Sequence, residues 1–183
     1  MIDRTAGQGR YARPEREQRW ILASRPDGLD RPVAIVDLYI PGTRLRVRRM
    51  TTDTDVVYKL GQKVRPTPDD PELVKLTNMY LSEPEYSTLA RLGGAEISKT
   101  RWRWISLDRP LVVDVFEGPL AGLVLAEMEL GPDEPRVDPP PLVVADVTND
   151  DRFSGGTLAT TTSAQLTALV AALSPDWSAA PGE

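Results

Sequence analysis

The chain has 183 residues, 40% hydrophobic and 27% charged, with a formal net charge of −5, the make-up of a single soluble globular domain with a real core. It contains neither cysteine nor histidine, which excludes disulfides, thiolate and imidazole metal sites, cysteine nucleophiles and Ser-His catalysis. Any metal must sit on oxygen ligands, favouring Mg²⁺, Mn²⁺ or Ca²⁺, and any general base must be a carboxylate, a lysine or a metal-bound water.

The net negative charge gives no expectation of nucleic-acid binding. No apolar run approaches the roughly 20 residues needed to span a bilayer, so no membrane association is expected. Residues 1–13 lack the apolar centre of a secretory signal and read as a flexible leader, which makes a cytoplasmic protein the default.

In chain order, Pro14 opens a first strand over 15–23, with Trp20 and Leu22 on the face opposite Glu15. The segment 24–32 is a loop on its Pro-Asp-Gly chemistry. Strands follow over 33–40, 43–50 and 56–64, then a proline- and acid-rich loop over 65–72 and a strand over 73–81. Ser82-Glu83-Pro84-Glu85 has capping-box spacing, and Gly93-Gly94 ends a short helix over 83–92. Strands resume over 96–107, 111–116 and 122–130. The segment 131–141 carries too many prolines for regular structure, 142–148 is one more strand, 162–173 is a final amphipathic helix, and 174–183 is a loose tail. The expectation is one mainly β (α+β) antiparallel domain over 14–173.

Strand alternation separates charge from apolar surface. Glu15, Glu17 and Arg19 share one face of the first strand. Arg44, Arg46 and Arg48 oppose Leu45 and Val47; Lys59 and Lys63 oppose Tyr58 and Leu60; Lys99, Arg101 and Arg103 oppose Trp102 and Trp104; Glu127 and Glu129 alternate with Ala126, Met128 and Leu130. Polar faces turned to water around a sandwich core would give the same alternation. The charges also sort by sign, however. Cations beside cations on neighbouring strands repel unless an anion lies between them, and paired acids need a cation. Closing the sheet with its charged faces inward gives a barrel lined with both, a setting for a phosphate chain and its metal, with an apolar outer wall that the helices and tryptophans would cover.

These motifs resemble the CYTH, or triphosphate tunnel metalloenzyme, superfamily. Glu15-x-Glu17-x-Arg19 resembles its opening E-x-E-x-K, with arginine in the lysine place; Arg46-x-Arg48 its R-x-R strand; Lys63, with Lys59 as a second candidate, its lysine-ending strand. Lys99-Thr100-Arg101, Asp114-Val115-Phe116-Glu117-Gly118, the run from Gly122 to Glu129, and Asp146-Val147-Thr148 with Asp151-Arg152-Phe153 match further motifs in order. The resemblance covers residues 15 to about 159. It implies an eight-stranded antiparallel closed β-barrel, or tunnel, with a few covering helices, acting on triphosphates with Mg²⁺ or Mn²⁺. One departure stands out. Where many members carry a second E-x-E pair before the first helix, this chain has Leu76-Thr77-Asn78-Met79-Tyr80-Leu81.

On this reading Glu15, Glu17, Glu127 and Glu129 are the catalytic, metal-holding acids, with Asp114 and Asp146 as further metal candidates. Arg19, Arg44, Arg46, Arg48, Lys59, Lys63, Lys99, Arg101 and Arg103 bind substrate. The expected activity is metal-dependent hydrolysis of inorganic triphosphate or a small organic triphosphate such as a nucleoside or thiamine triphosphate, by a monomer or homodimer. The alternatives are an adenylate cyclase forming cyclic AMP from ATP, and a non-catalytic polyphosphate- or nucleotide-binding module.

Overall fold

A computed structural model describes Ala6 and residues 10–65, 73–106 and 108–173. The tail 174–183 and most of the leader 1–13 and of the acidic loop 65–72 lie outside the described residues.

The elements are β1 (Arg13–Leu22), β2 (Asp30–Tyr39), β3 (Leu45–Thr51), β4 (Val56–Val64), β5 (Leu73–Leu81), α1 (Glu83–Ala90), β6 (Ala95–Ser106), β7 (Arg109–Phe116), β8 (Val124–Leu130), β9 (Val143–Asp146), α2 (Gly155–Leu158) and α3 (Ser163–Leu173). Single turns of 3₁₀ helix lie at Gly118–Leu120 and Asp151–Phe153. The strands form one antiparallel sheet in the order β5-β4-β3-β2-β6-β7-β8-β1, and the first half of β1 pairs back onto β5, so eight strands close into a barrel. The second half of β1 pairs with β9, an extra strand outside the ring.

Local sequence explains the boundaries. The β2–β3 connection turns at Gly42, whose φ of 70° suits a residue without a Cβ. The segment 24–32 is shorter as a loop than its composition implies, because β2 begins at Asp30 through an irregularity at Arg31, whose φ is 52°. The backbone N–H of Ser82 donates to Glu85 Oε2 at 2.7 Å, the reach-back of a capping box, and α1 starts there. α2 has no periodic signal in so short a run. It forms because Ser154 caps it, its hydroxyl accepting from the Thr157 N–H, and Leu158 is buried.

The barrel's two faces are apolar in different places. Outside, Trp20, Leu22, Trp104, Leu111, Val113, Ala126, Met128 and Leu130 form a buried cluster on β1, β8, β7 and β6. Contrary to expectation, no helix among the described residues takes part in that cluster: Val137, from the proline-rich segment after β8, and Val143 of β9 pack against it. Gln18, 2% exposed, straps that segment down through Gln18 Nε2–H to Val137 O at 3.2 Å and Val137 N–H to Gln18 Oε1 at 2.8 Å. Inside, Ile97, Phe116 and Leu125 line the cavity and pack with Phe153, Leu158, Leu166 and Val170. The helices α2 and α3 therefore contribute to an apolar floor rather than an outer cover. Each fully buried side chain of this kind contributes roughly 1.5–3 kcal/mol. Among the described residues no helix is long and apolar enough to cross a membrane.

Candidate active site

The barrel encloses a cavity of about 1500 Å³. Glu15, Glu17, Arg19, Arg44, Arg46, Arg48, Lys59, Lys63, Lys99, Arg101, Arg103, Glu127 and Glu129 all line it, so ionised side chains from five strands and one turn converge on a single space. Alternation along each strand accounts for this. On β1, β6 and β8 the apolar partners on the outer face belong to the cluster around Trp20, which fixes the register of the inner face there.

One wall is acidic. Glu15 and Glu17 project from β1, and Glu129 of β8 is the direct cross-strand partner of Glu17. Lys63 of β4 reaches this wall, its Nζ 3.3 Å from Glu17 Oε1 and 3.9 Å from Glu15 Oε2. Burial, with the nearby charges of Glu17 and Glu129, raises the Glu15 carboxyl above its ordinary range although Lys63 opposes the shift. Burial pushes Glu17 the same way, but Lys63, Arg19 and Arg101 more than offset it and Glu17 lies below its ordinary range.

The cations are organised around two buried aspartates. Asp114 is fully buried and accepts from Lys99 Nζ and, at 2.7 Å, from Arg101 Nε. Arg101 Nη2 also donates to Glu127 Oε2 at 2.7 Å, so one guanidinium bridges β6, β7 and β8. Burial disfavours the Arg101 charge, yet Asp114 and Glu127 outweigh it and the guanidinium stays a firm cation. Lys99 differs: burial lowers its ammonium despite Asp114. Asp37, 1% exposed, accepts from Arg48 Nε at 2.6 Å and lies 3.5 Å from Arg46 Nε. Burial raises Asp37, and Arg48 and Arg46 overcome it to hold the carboxyl low.

Two buried guanidinium nitrogens, Arg19 Nε and Arg46 Nε, have no hydrogen-bond partner among the described residues. A buried unpartnered donor is costly, and an anion's oxygen in the cavity is the natural acceptor. Arg46 gains its place from Gly61 on the next strand. A Cβ there would come 2.9 Å from Asn78 Oδ1 and 3.4 Å from Arg46 Nη2.

Other candidates have different surroundings. Asp114 is spent on Lys99 and Arg101 and does not line the cavity, so its carboxylate offers no open metal position. Asp146 lies outside the barrel: it pairs in register with the outward-facing Trp20, accepts the Thr148 N–H at 2.9 Å and stands 3.7 Å from Arg136. Arg19, 5% exposed, ties β1 to the floor, its Nη1 donating to Phe153 O at 2.9 Å and Nη2 to Thr148 O at 3.3 Å. Arg103 pairs with Asp30, Nε to Oδ1 2.8 Å, and is half-exposed. Lys59 lies over the Tyr80 ring, 5.1 Å from its centroid, and Arg44 is exposed in the turn before β3. Asp37 was not singled out by sequence, and Asn78 lines the cavity where a second acid pair would stand.

A divalent metal fits the acid wall in its donor chemistry. Glu15, Glu17 and Glu129 are hard oxygen ligands whose mutual repulsion Lys63 offsets. Among the described residues, however, no three such groups gather into a ready-made metal cage.

A closed antiparallel barrel of eight strands, with an extra strand and few helices, its interior divided between acids and cations, is the CYTH-type triphosphate-tunnel fold. It resembles the crystal structure of the hypothetical protein NE1496, with a TM-score of 0.57 and 26% identity over 81% of this chain and 99% of that one. A second crystal structure of NE1496, there named an inorganic triphosphatase, superposes with a TM-score of 0.55 at 24% identity over 80% of this chain and 95% of that one. No protein-family profile matches the sequence, and no curated protein does.

Proposed function

We propose that this chain hydrolyses inorganic triphosphate or a small organic triphosphate inside the barrel, in a reaction that needs Mg²⁺ or Mn²⁺. The observation that carries this reading is Arg46 Nε, buried with no hydrogen-bond partner among the described residues and only an ion-pair contact with Asp37, beside Arg48, Lys99 and Arg101 in one cavity that also holds an acid wall. Arg46, Arg48, Lys63, Lys99 and Arg101 grip the phosphate oxygens and offset charge on the transferring phosphoryl group. Glu15, Glu17 and Glu129 hold the cation, which when bound supplies charge neutralisation at the phosphate oxygens. Glu127, fixed by Arg101, orients the attacking water on the terminal phosphorus. The likeness to NE1496 supports triphosphate as the substrate class.

The test is a phosphate-release screen of triphosphates with and without Mg²⁺ or Mn²⁺. The reading expects diphosphate and phosphate from tripolyphosphate, abolished by EDTA; turnover undiminished in EDTA contradicts it. Incubation with ATP separates hydrolysis from cyclisation, which would yield cyclic AMP and pyrophosphate. A second reading, a polyphosphate-binding module, draws on Asn78 standing where a second acid pair would be. Tight tripolyphosphate binding without turnover would favour it.

A further inference from the structure

Lys63 stands between the two β1 carboxylates that would serve a divalent cation. Its Nζ is 3.3 Å from Glu17 Oε1 and 3.9 Å from Glu15 Oε2. A single ammonium thus occupies ground that a metal would need, in keeping with the lack of a ready-made cage among the described residues. The side chain is not locked there. It is 41% exposed, on a flexible four-carbon stem with three rotatable donors. It also lines the same cavity as Arg46 and Arg101, so an anion held by those arginines would share that space with the Lys63 ammonium.

We propose that Lys63 is an exchangeable counter-ion, neutralising Glu15 and Glu17 until a triphosphate enters, then moving to the phosphate oxygens and freeing the acid pair for a divalent metal. This rests on the triphosphate reading above. The direction follows from charge. An ammonium and a divalent cation a few ångströms apart repel, so metal affinity is incomplete while Lys63 stays in place. A triphosphate draws Lys63 off and adds oxygen ligands of its own. Metal and triphosphate then bind with positive coupling, and each must tighten the other by the same factor, typically about 5–150-fold. An arginine at this position would keep the charge and hence the exchange, whereas an apolar side chain of similar length would leave the acids permanently uncompensated.

The experiment titrates Mn²⁺ by electron paramagnetic resonance, without phosphate, into wild type, Lys63→Met, Lys63→Arg and the double variant Lys63→Met/Glu17→Gln. Exchange predicts Mn²⁺ affinity at least ~10-fold tighter in Lys63→Met, unchanged in Lys63→Arg, and lost again in the double variant. Affinity in Lys63→Met equal to or weaker than wild type overturns the exchange. Calorimetry of Mn²⁺-tripolyphosphate on wild type is scored separately. No binding there overturns the triphosphate reading, while binding there with unchanged Mn²⁺ affinity in Lys63→Met overturns the exchange alone.

Discussion

Asp37 and Arg48 meet fork to fork inside the barrel, Arg48 Nε and Nη2 donating to the two carboxylate oxygens at 2.6 and 2.7 Å. They are direct cross-strand partners in the β2–β3 hairpin, and Asp37 is 1% exposed. With Arg46 Nε 3.5 Å from the same carboxylate, one aspartate aims two arginines into the cavity before any ligand arrives.

Removing that carboxylate leaves buried cations without their partner. Asp37→Asn is therefore expected to cost roughly 3–5 kcal/mol in denaturant unfolding, the range for breaking a buried ion pair. A change under ~1 kcal/mol would mean that the cavity's own water already solvates Arg48.

Gly61→Ala is a subtler probe. The added Cβ would press on Asn78 Oδ1 at 2.9 Å and on the end of Arg46 at 3.4 Å, both side-chain atoms able to move. The fold should survive with a near-native melting temperature while Arg46 is displaced. Tripolyphosphate affinity should fall by about tenfold or more, the loss of one charge-assisted hydrogen bond, as read by calorimetry.

Acid stability follows from Asp37 and Asp114. Burial pushes both carboxyls up, and Arg48 and Arg46 on one side and Lys99 and Arg101 on the other hold both below the ordinary value. A folded-state value below the unfolded one contributes stability that is complete above the unfolded value of about 3.9 and is lost as pH falls through the folded one. Melting temperature should thus hold level down to about pH 5 and drop below about pH 4. Glu15 runs the other way: its folded value is raised, so its ionised form is disfavoured on folding. Glu15→Gln should raise the melting temperature at neutral pH, and a fall in that variant would mean that the attraction of Lys63 outweighs the burial of Glu15.

Much of this architecture is legible in period-two alternation. Arg46 and Arg48 against Leu45 and Val47, or Glu127 and Glu129 against Ala126 and Met128, declare which face is ionised, and the spans of β4 and β5 coincide with their hydrophobic patterning. Alternation alone does not say whether the ionised face looks inward. Sorting of charge by sign, with the motif order, supplied that. Asp37 escaped because a lone acid in the run 33–40 carries no motif. The signal lay in the hairpin register, which sets it opposite Arg48. Asp146 misled for the complementary reason: its place in a motif says nothing about the pairing of β9 with β1, which sets it opposite Trp20 on the outer surface. The cover over the tryptophans was equally hidden, since a proline-rich segment strapped by Gln18 has no periodicity to read.

The most direct measurement is tripolyphosphate turnover with Mn²⁺ in Glu17→Gln beside wild type, with both proteins shown to be folded by matched unfolding curves. If the acid wall and the facing cations act together on a triphosphate, turnover falls by at least ~100-fold. Turnover equal to wild type would contradict the account, because the reaction would then proceed without the carboxylate that Lys63 and the metal are proposed to share.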